Sequence, residues 1–193
     1  MAMDLDIIFE NLYNRLLDPD FGKKLGGELP LFIQPLDPSK QRETEEQVKR
    51  LASRLNRKGI RVSVVNLFDL SIAILKEEGI LDAILENESD IPHSDTVETL
   101  DSILDVSSTI IPHLQSVIES ENPDYLFLSG VGSVYPFIRS HGILNNIDEL
   151  TDNCKLVLFF PGQYDNMQLK LFGHIYDENY YRGINLNEIS YPI

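Results

Sequence analysis

The 193-residue sequence predicts an α/β fold, a three-layer sandwich with a mostly parallel central sheet, resembling a nucleotide-binding domain without a phosphate loop. Three observations predict it. Apolar runs of strand length alternate with segments of helical periodicity along the chain. Residues 37–67 have the helix–glycine–strand order from which α/β sheets are built. The run Lys155–Phe160 (KLVLFF) is apolar nearly throughout, which places it centrally in a sheet covered on both faces.

The elements follow in order. Asp4–Leu17 carries apolar residues at Leu5, Ile8, Phe9, Leu12, Leu16 and Leu17, the spacing of a helix with one apolar face, and Asp18-Pro19-Asp20 ends it. Gly22–Gly27 reads as a loop. Leu29–Gln34 (LPLFIQ) reads as a short strand, with Pro30 at its start. Asp37-Pro38 opens a helix, with a capping carboxylate followed by proline in the first turn. Val48, Leu51, Ala52 and Leu55 continue it, and Gly59 stops it. Ile60–Leu67, rich in β-branched residues, is a second strand. Helices follow over Phe68–Lys76 and Ile80–Asn87, then one capped by Ser94 or Asp95 through Leu104, then one over Ser108–Ser120. Asn122-Pro123-Asp124 breaks into a third strand, Tyr125–Leu128, which turns on Gly130 and Gly132 into a helix over 137–147. Lys155–Phe160 is the fourth strand, broken by Pro161-Gly162. Leu169–Ile175 and Tyr180–Leu186 are two further strands. No repeat, low-complexity tract or linker divides the chain, so residues 1–193 read as one domain.

Composition narrows the function. Net charge is −15, from 16 basic and 31 acidic side chains, a field that repels nucleic acid on average. The basic segment Lys40–Lys58 is interleaved with Glu43, Glu45, Glu46 and Gln47, and reads as a solvated helix face. Direct nucleic-acid binding is therefore not expected; an acidic protein working against other proteins is. The single cysteine, Cys154, precedes an apolar strand and reads as a small buried residue, compatible with a reducing cytoplasm. The sequence MAMDLDIIFE has no basic n-region, so no signal peptide is expected, and no apolar run approaches the roughly 20 residues of a membrane helix.

The turn after the third strand is where an open parallel sheet usually binds its ligand. Its sequence, SGVGSVYPFIRSH, has two glycines but no following Gly-Lys-Ser/Thr, and Tyr135 stands where the third glycine of a dinucleotide motif belongs. Ser129 and Ser133 flank the glycines outside the G-x-S-x-G pattern, and no acid is spaced to orient His141 as a base. The four histidines are not paired at metal-ligand spacing. No cofactor and no metal are expected. Tyrosine and arginine are the residue types that anchor protein interfaces. They mark the same sheet edge at Tyr135 and Arg139, at Tyr164 beside Asp165, and at Tyr181 and Arg182.

Five segments together resemble a known family: LGGELPLFIQPLDP (Leu25–Pro38), GIRVSVVNLFDL (Gly59–Leu70), PDYLFLSGVGSVYPFIRSHGILNNI (Pro123–Ile147), LVLFFPGQYDNMQLKLFG (Leu156–Gly173) and DENYYRGINL (Asp177–Leu186). They are similar to the BrxB family, small accessory proteins of bacterial BREX anti-phage systems. GVGSVYPFIRSH and FFPGQYD are the most specific parts, and Asp82–Ser120 is the least distinctive. The resemblance implies a place in a multi-protein complex that blocks phage replication and supports host DNA methylation. The partners it implies are an alkaline-phosphatase-like PglZ protein first, then the ATPase BrxC and the methyltransferase PglX. It brings no catalytic activity, and so no catalytic residues to carry over.

The sequence thus leads to a non-enzymatic interaction subunit, active in the cytoplasm. Its expected partner-binding edge comprises Gly130, Gly132, Ser133, Tyr135, Arg139, His141, Asn145, Tyr164, Asp165, Tyr181 and Arg182. The alternative is a cryptic nucleotide-binding or hydrolytic protein that uses the glycine turn at 130–132.

Overall fold

The computed structural model describes residues 4–18, 20–21, 31–87, 92–151 and 154–188. The expected loop at Gly22–Gly27 and the first two residues of the expected first strand lie outside them. Helix α1 spans Leu5–Leu17, opened by the Asp4 carboxylate accepting from the Asp6 N–H at 3.0 Å. Strand β1 (Leu31–Leu36) leads through a 3₁₀ turn, capped by Asp37, into α2 (Gln41–Asn56), and β2 (Val62–Asn66) follows. A helical series comes next: α3 (Leu67–Glu77), α4 (Ile80–Asn87), α5 (His93–Ile103) and α6 (Ile111–Glu121), the last entered through a π-helical turn over Val106–Ile110. Strand β3 (Tyr125–Ser129) is followed by three short helices, α7 (Val131–Val134), α8 (Ser140–Leu144) and α9 (Ile147–Thr151). Strands β4 (Lys155–Asp165), β5 (Gln168–Leu171), β6 (Ile175–Tyr176) and β7 (Ile184–Asn185) end the described chain.

The sheet has the order β2-β3-β4-β1-β7, all parallel, with β5 added antiparallel to the far end of β4 and β6 antiparallel to β5. The expected mostly parallel three-layer architecture is what forms, with β4 central as its apolar composition requires. Alternate residues of β4 go to opposite layers: Val157 and Phe159 meet α1 and α2, while Leu156, Leu158 and Phe160 meet the layer of α3, α6 and the short helices. Phe9 of α1 stacks on Phe159 with ring centroids 5.7 Å apart. The chain leaves β1 across the sheet to β2 and then works back through β3 to β4. Crossovers of one hand that run in opposite directions across the sheet land on opposite faces, and α2 lies on one face and the later helices on the other.

Several local expectations shift, each for a physical reason. Strand β1 runs through Pro35 to Leu36; β7 pairs with β1 only at Phe32 and Ile33, so one side of Pro35 has no ladder to lose. Strand β2 stops at Asn66 because its carboxamide accepts from Phe68 and Asp69 and starts α3 one residue earlier than the periodicity suggests. Helix α5 begins at His93 without a side-chain cap: Pro92 is at the N-cap position, and Ser94 and Asp95 lie inside the first turn. Asp105 caps the turn before α6 by accepting from the Ser108 N–H at 2.8 Å, so the helical segment begins two residues before the expected Ser108. The single helix expected over 137–147 is broken: Tyr135, ahead of Pro136, is held extended, and Arg139 is extended as well. Pro161-Gly162 does not end β4. The strand changes partners there, from parallel β1 to antiparallel β5. The strand expected over Leu169–Ile175 is split into β5 and β6 by a turn with positive φ at Phe172 and Gly173, and Tyr180–Gly183 lies outside β7.

Candidate functional site

The turn after β3 is built by packing. Gly130 has φ 77°, in the left-handed region that glycine enters without a Cβ penalty. A Cβ there would lie 2.5 Å from Asn66 Oδ1, the atom that caps α3. At Gly132 a Cβ would lie 2.8 Å from Phe172 Cε1 and 3.1 Å from Pro161 Cγ. Both serines beside the glycines are tied to α2: Ser129 Oγ donates to Glu45 at 2.7 Å, and Ser133 Oγ to Gln41 at 3.4 Å.

Beyond the turn, buried Val134 and Ile138 anchor a loop whose polar side chains face outward. The Arg139 guanidinium lies 5.9 Å from the centroid of the Tyr135 ring, and its Nε donates to the Pro136 carbonyl at 3.4 Å. Tyr135, Arg139 and His141 form one bank of a cleft of about 300 Å³. The other bank is Tyr176, Asp177, Glu178 and Asn179, and the floor includes Phe160, Leu169 and Leu171. Cationic and imidazole groups thus face two carboxylates across an apolar floor.

Asp177 is held in place. One oxygen accepts from the Asn179 backbone and side-chain nitrogens at 3.0 Å each, and the other accepts from the Tyr181 hydroxyl at 2.9 Å. Burial, followed by the hydrogen bond to Asp177, pushes the Tyr181 phenol far above its ordinary range. Tyr181 is 6% exposed and therefore supports the bank from behind. Tyr164, 4% exposed, is a strut of the same kind: its hydroxyl donates to the Tyr181 carbonyl at 2.5 Å and accepts from the Gly183 N–H at 3.1 Å.

The expected residues therefore divide. Tyr135, Arg139 and His141 share the cleft, with Gly130, Gly132 and Ser133 shaping the turn behind it. Tyr164 and Asp165 line a second crevice. Asn145 closes α8, and Arg182 is exposed; neither lines the cleft. Asn66, Glu45 and Phe172 lie outside the expected set, yet they fix the glycine turn. The signal for Asn66 is readable, a capping residue directly before an apolar helix. Glu45 and Phe172 carry none, because each meets its partner across a long stretch of chain. Among the described residues no group of three or more His, Cys, Asp or Glu side chains is placed to hold a metal ion. No described helix is long and apolar enough to cross a membrane.

Comparison with known proteins gives a consistent result. The family model described as "BREX protein BrxB" matches residues 63–186. A "BREX protein BrxB" of Bacillus cereus (strain H3081.97) is 34% identical over 181 residues, covering 92% of this chain and 94% of that protein. Another of the same name, from Escherichia coli O9:H4 (strain HS), is 22% identical over 161 residues, covering 83% and 80% respectively. No solved structure matches the chain.

Proposed function

The chain belongs to the BrxB family of BREX proteins, and from that premise we propose that it acts as a non-enzymatic interaction subunit of the BREX phage-defence complex. Family membership supports the role in phage defence; the family's name carries no enzymatic activity. The observation that carries the interaction reading is the cleft between Arg139 and Asp177. An apolar floor rimmed by charges of both signs is the anatomy of a protein interface. Tyr176 on the bank itself and Tyr180 just beyond it, 70% and 69% exposed, add the aromatic surface that such interfaces favour. The alternative of nucleotide handling at residues 130–132 is disfavoured because Asn66 and Phe172 pack where a phosphate would need open backbone.

In this reading the subunit works in the cytoplasm, supporting phage restriction and host DNA methylation by holding partner proteins. The first partner is a PglZ-like protein of the alkaline-phosphatase superfamily, with the ATPase BrxC and the methyltransferase PglX as further candidates. The test is a pull-down of tagged protein from cells carrying the complete defence operon. Wild-type protein should retain PglZ, and Arg139→Ala with Tyr135→Ala should lose it while melting at the wild-type temperature. If a folded double variant retains PglZ and still protects cells from phage, the cleft is not the contact.

A further inference from the structure

Strands β1 and β4 are neighbours, but the chain leaves them toward opposite faces: β1 into α2 on the side of α1, and β4 into β5 on the side of the short helices. That is the topological switch point of an open α/β sheet, and the crevice beyond its carboxyl ends is where such sheets bind. The glycine turn after β3 lies one strand away from it. The structure has a crevice of about 640 Å³ at the switch point, between Leu36–Lys40 and Gly162–Asp165. Phe172 stands between it and Gly132.

The floor of this crevice is fixed by side-chain amides. Gln34 donates to Asn187 at 2.7 Å, Asn187 to the Pro35 carbonyl at 3.2 Å, and Asn185 to the Tyr164 carbonyl at 2.8 Å. Leu5, Ile8 and Leu36 give it an apolar wall. Around the mouth stand three carboxylates, Asp37, Asp165 and Glu188, against one ammonium, Lys40. Asp37 already fills the helix-terminus position that a bound phosphate would take, accepting from the Ser39 N–H at 2.9 Å. Among the described residues the Asp165 carboxylate, exposed at the rim, has no hydrogen-bond or ion-pair partner.

We infer that this crevice binds an extended peptide segment of a partner protein in which arginine or lysine alternates with an apolar residue. The apolar side chain sits against Leu5, Ile8 and Leu36, and the cation meets Asp165 and Glu188. The net charge of −15 draws such a segment in from a distance. This deepens the interaction reading by naming the chemistry of a second contact, separate from the Arg139 cleft.

The test is a backbone-amide NMR titration of the isotope-labelled chain with three probes: the blocked peptide acetyl-Leu-Arg-Leu-Arg-amide, its Leu-Glu-Leu-Glu counterpart, and agmatine. The basic peptide should shift the amides of Gln163, Asp165 and Asn187, with an affinity that falls as salt is raised. The acidic peptide should not shift them. In the double variant Asp165→Asn/Glu188→Gln, both positions exposed and the new amide oxygen still able to accept from Asn185 as the Glu188 carboxylate does at 3.1 Å, the affinity should fall about tenfold, and in Arg139→Ala it should stay unchanged. Absence of shifts with the basic peptide, equal shifts with both peptides, or unchanged affinity in the double variant overturns the proposal. Equal affinity for agmatine and peptide also overturns it, because the site would then be one for small cations. A failed operon pull-down with intact peptide binding would count against the PglZ assignment and leave this site standing.

Discussion

The side-chain amide of Asn66 occupies the space in which a side chain on Gly130 would begin, 2.5 Å from the position of its Cβ. One strand end therefore dictates the residue at the next. Asn66 caps α3, and Gly130 is glycine so that the cap fits and so that φ can be 77°. Asn66→Ala should cost about 1 kcal/mol through the lost cap. Gly130→Ala should cost about 3 kcal/mol, from left-handed backbone strain and the clash together. In the Asn66→Ala background the second change should cost only about 1–2 kcal/mol, the backbone part. Urea unfolding of the four proteins measures this coupling, and additive losses would show that the two residues do not share the space.

Tyr164→Phe keeps the ring and removes the hydroxyl that joins the Tyr181 carbonyl to the Gly183 N–H. The Tyr181 carbonyl and the Gly183 N–H keep their own 3.0 Å bond to each other, so losing the hydroxyl should cost only about 0.5–1.5 kcal/mol. The Tyr181 segment should loosen with it, read as faster amide exchange at Gly183. A loss below the error of thermal melting would mean that water replaces the hydroxyl.

Cys154 is buried, its Sγ donating to the Leu150 carbonyl at 3.1 Å, and burial pushes the thiol up to about 11 from 9.0. The folded protein holds this proton longer than the unfolded chain does. The stability it contributes is present below pH 9.0 and is lost as pH rises toward about 11. Burial raises Tyr125 and Tyr181 as well, so alkaline melting alone does not isolate the thiol. Iodoacetamide labelling does: at pH near 8 the native protein should react at least about a hundredfold slower than the urea-unfolded chain. Comparable rates would place the thiol in contact with solvent.

At the amino ends of β2 and β3, Arg61 donates to Asp124 from its guanidinium at 2.8 Å and from its backbone N–H at 2.8 Å. The guanidinium bond, then the backbone bond, hold the Asp124 carboxyl below its usual 3.8 against the opposing effect of burial. A depressed folded value means stability that is present above pH 3.8 and lost as pH falls through the folded value. The pair is half exposed, so Asp124→Asn should cost only about 0.5–1 kcal/mol at neutral pH. That difference from wild type should close in acid; a gap that persists to pH near 2 would trace the loss to packing instead.

Arg139→Ala and Tyr135→Ala remove exposed and partly exposed groups whose mutual contact spans 5.9 Å, so each should shift stability by less than about 0.5 kcal/mol. Both should nevertheless weaken phage resistance in cells, measured as plating efficiency against the wild-type system. Unaltered plating with both variants would remove the cleft from the proposed function.

The layers of this protein were legible in its sequence because they depend on local periodicity. The stripe Val48, Leu51, Ala52 and Leu55 specifies a buried helix face, and the unbroken apolarity of Lys155–Phe160 specifies a central strand. The same signal misplaced local ends wherever a distant partner decides them. Pro161-Gly162 reads as a stop, yet Gly162 lets the Lys170 carbonyl approach to within 2.2 Å of where a Cβ would be, and the strand continues. The candidate site divides the same way. Tyr135, Arg139 and His141 are close in the chain and were expected together, and the structure brings them to one cleft. Its opposite bank, Asp177–Asn179, and the burial of Tyr164 and Tyr181 depend on how β5–β7 fold back over β4. The sequence by itself determined the fold class and family, because burial pattern and motif are written residue by residue. Tertiary structure alone decided which tyrosines are struts, what the glycines make room for, and where the sheet's switch point falls. Strand order and long-range packing set those, and no local spacing encodes either.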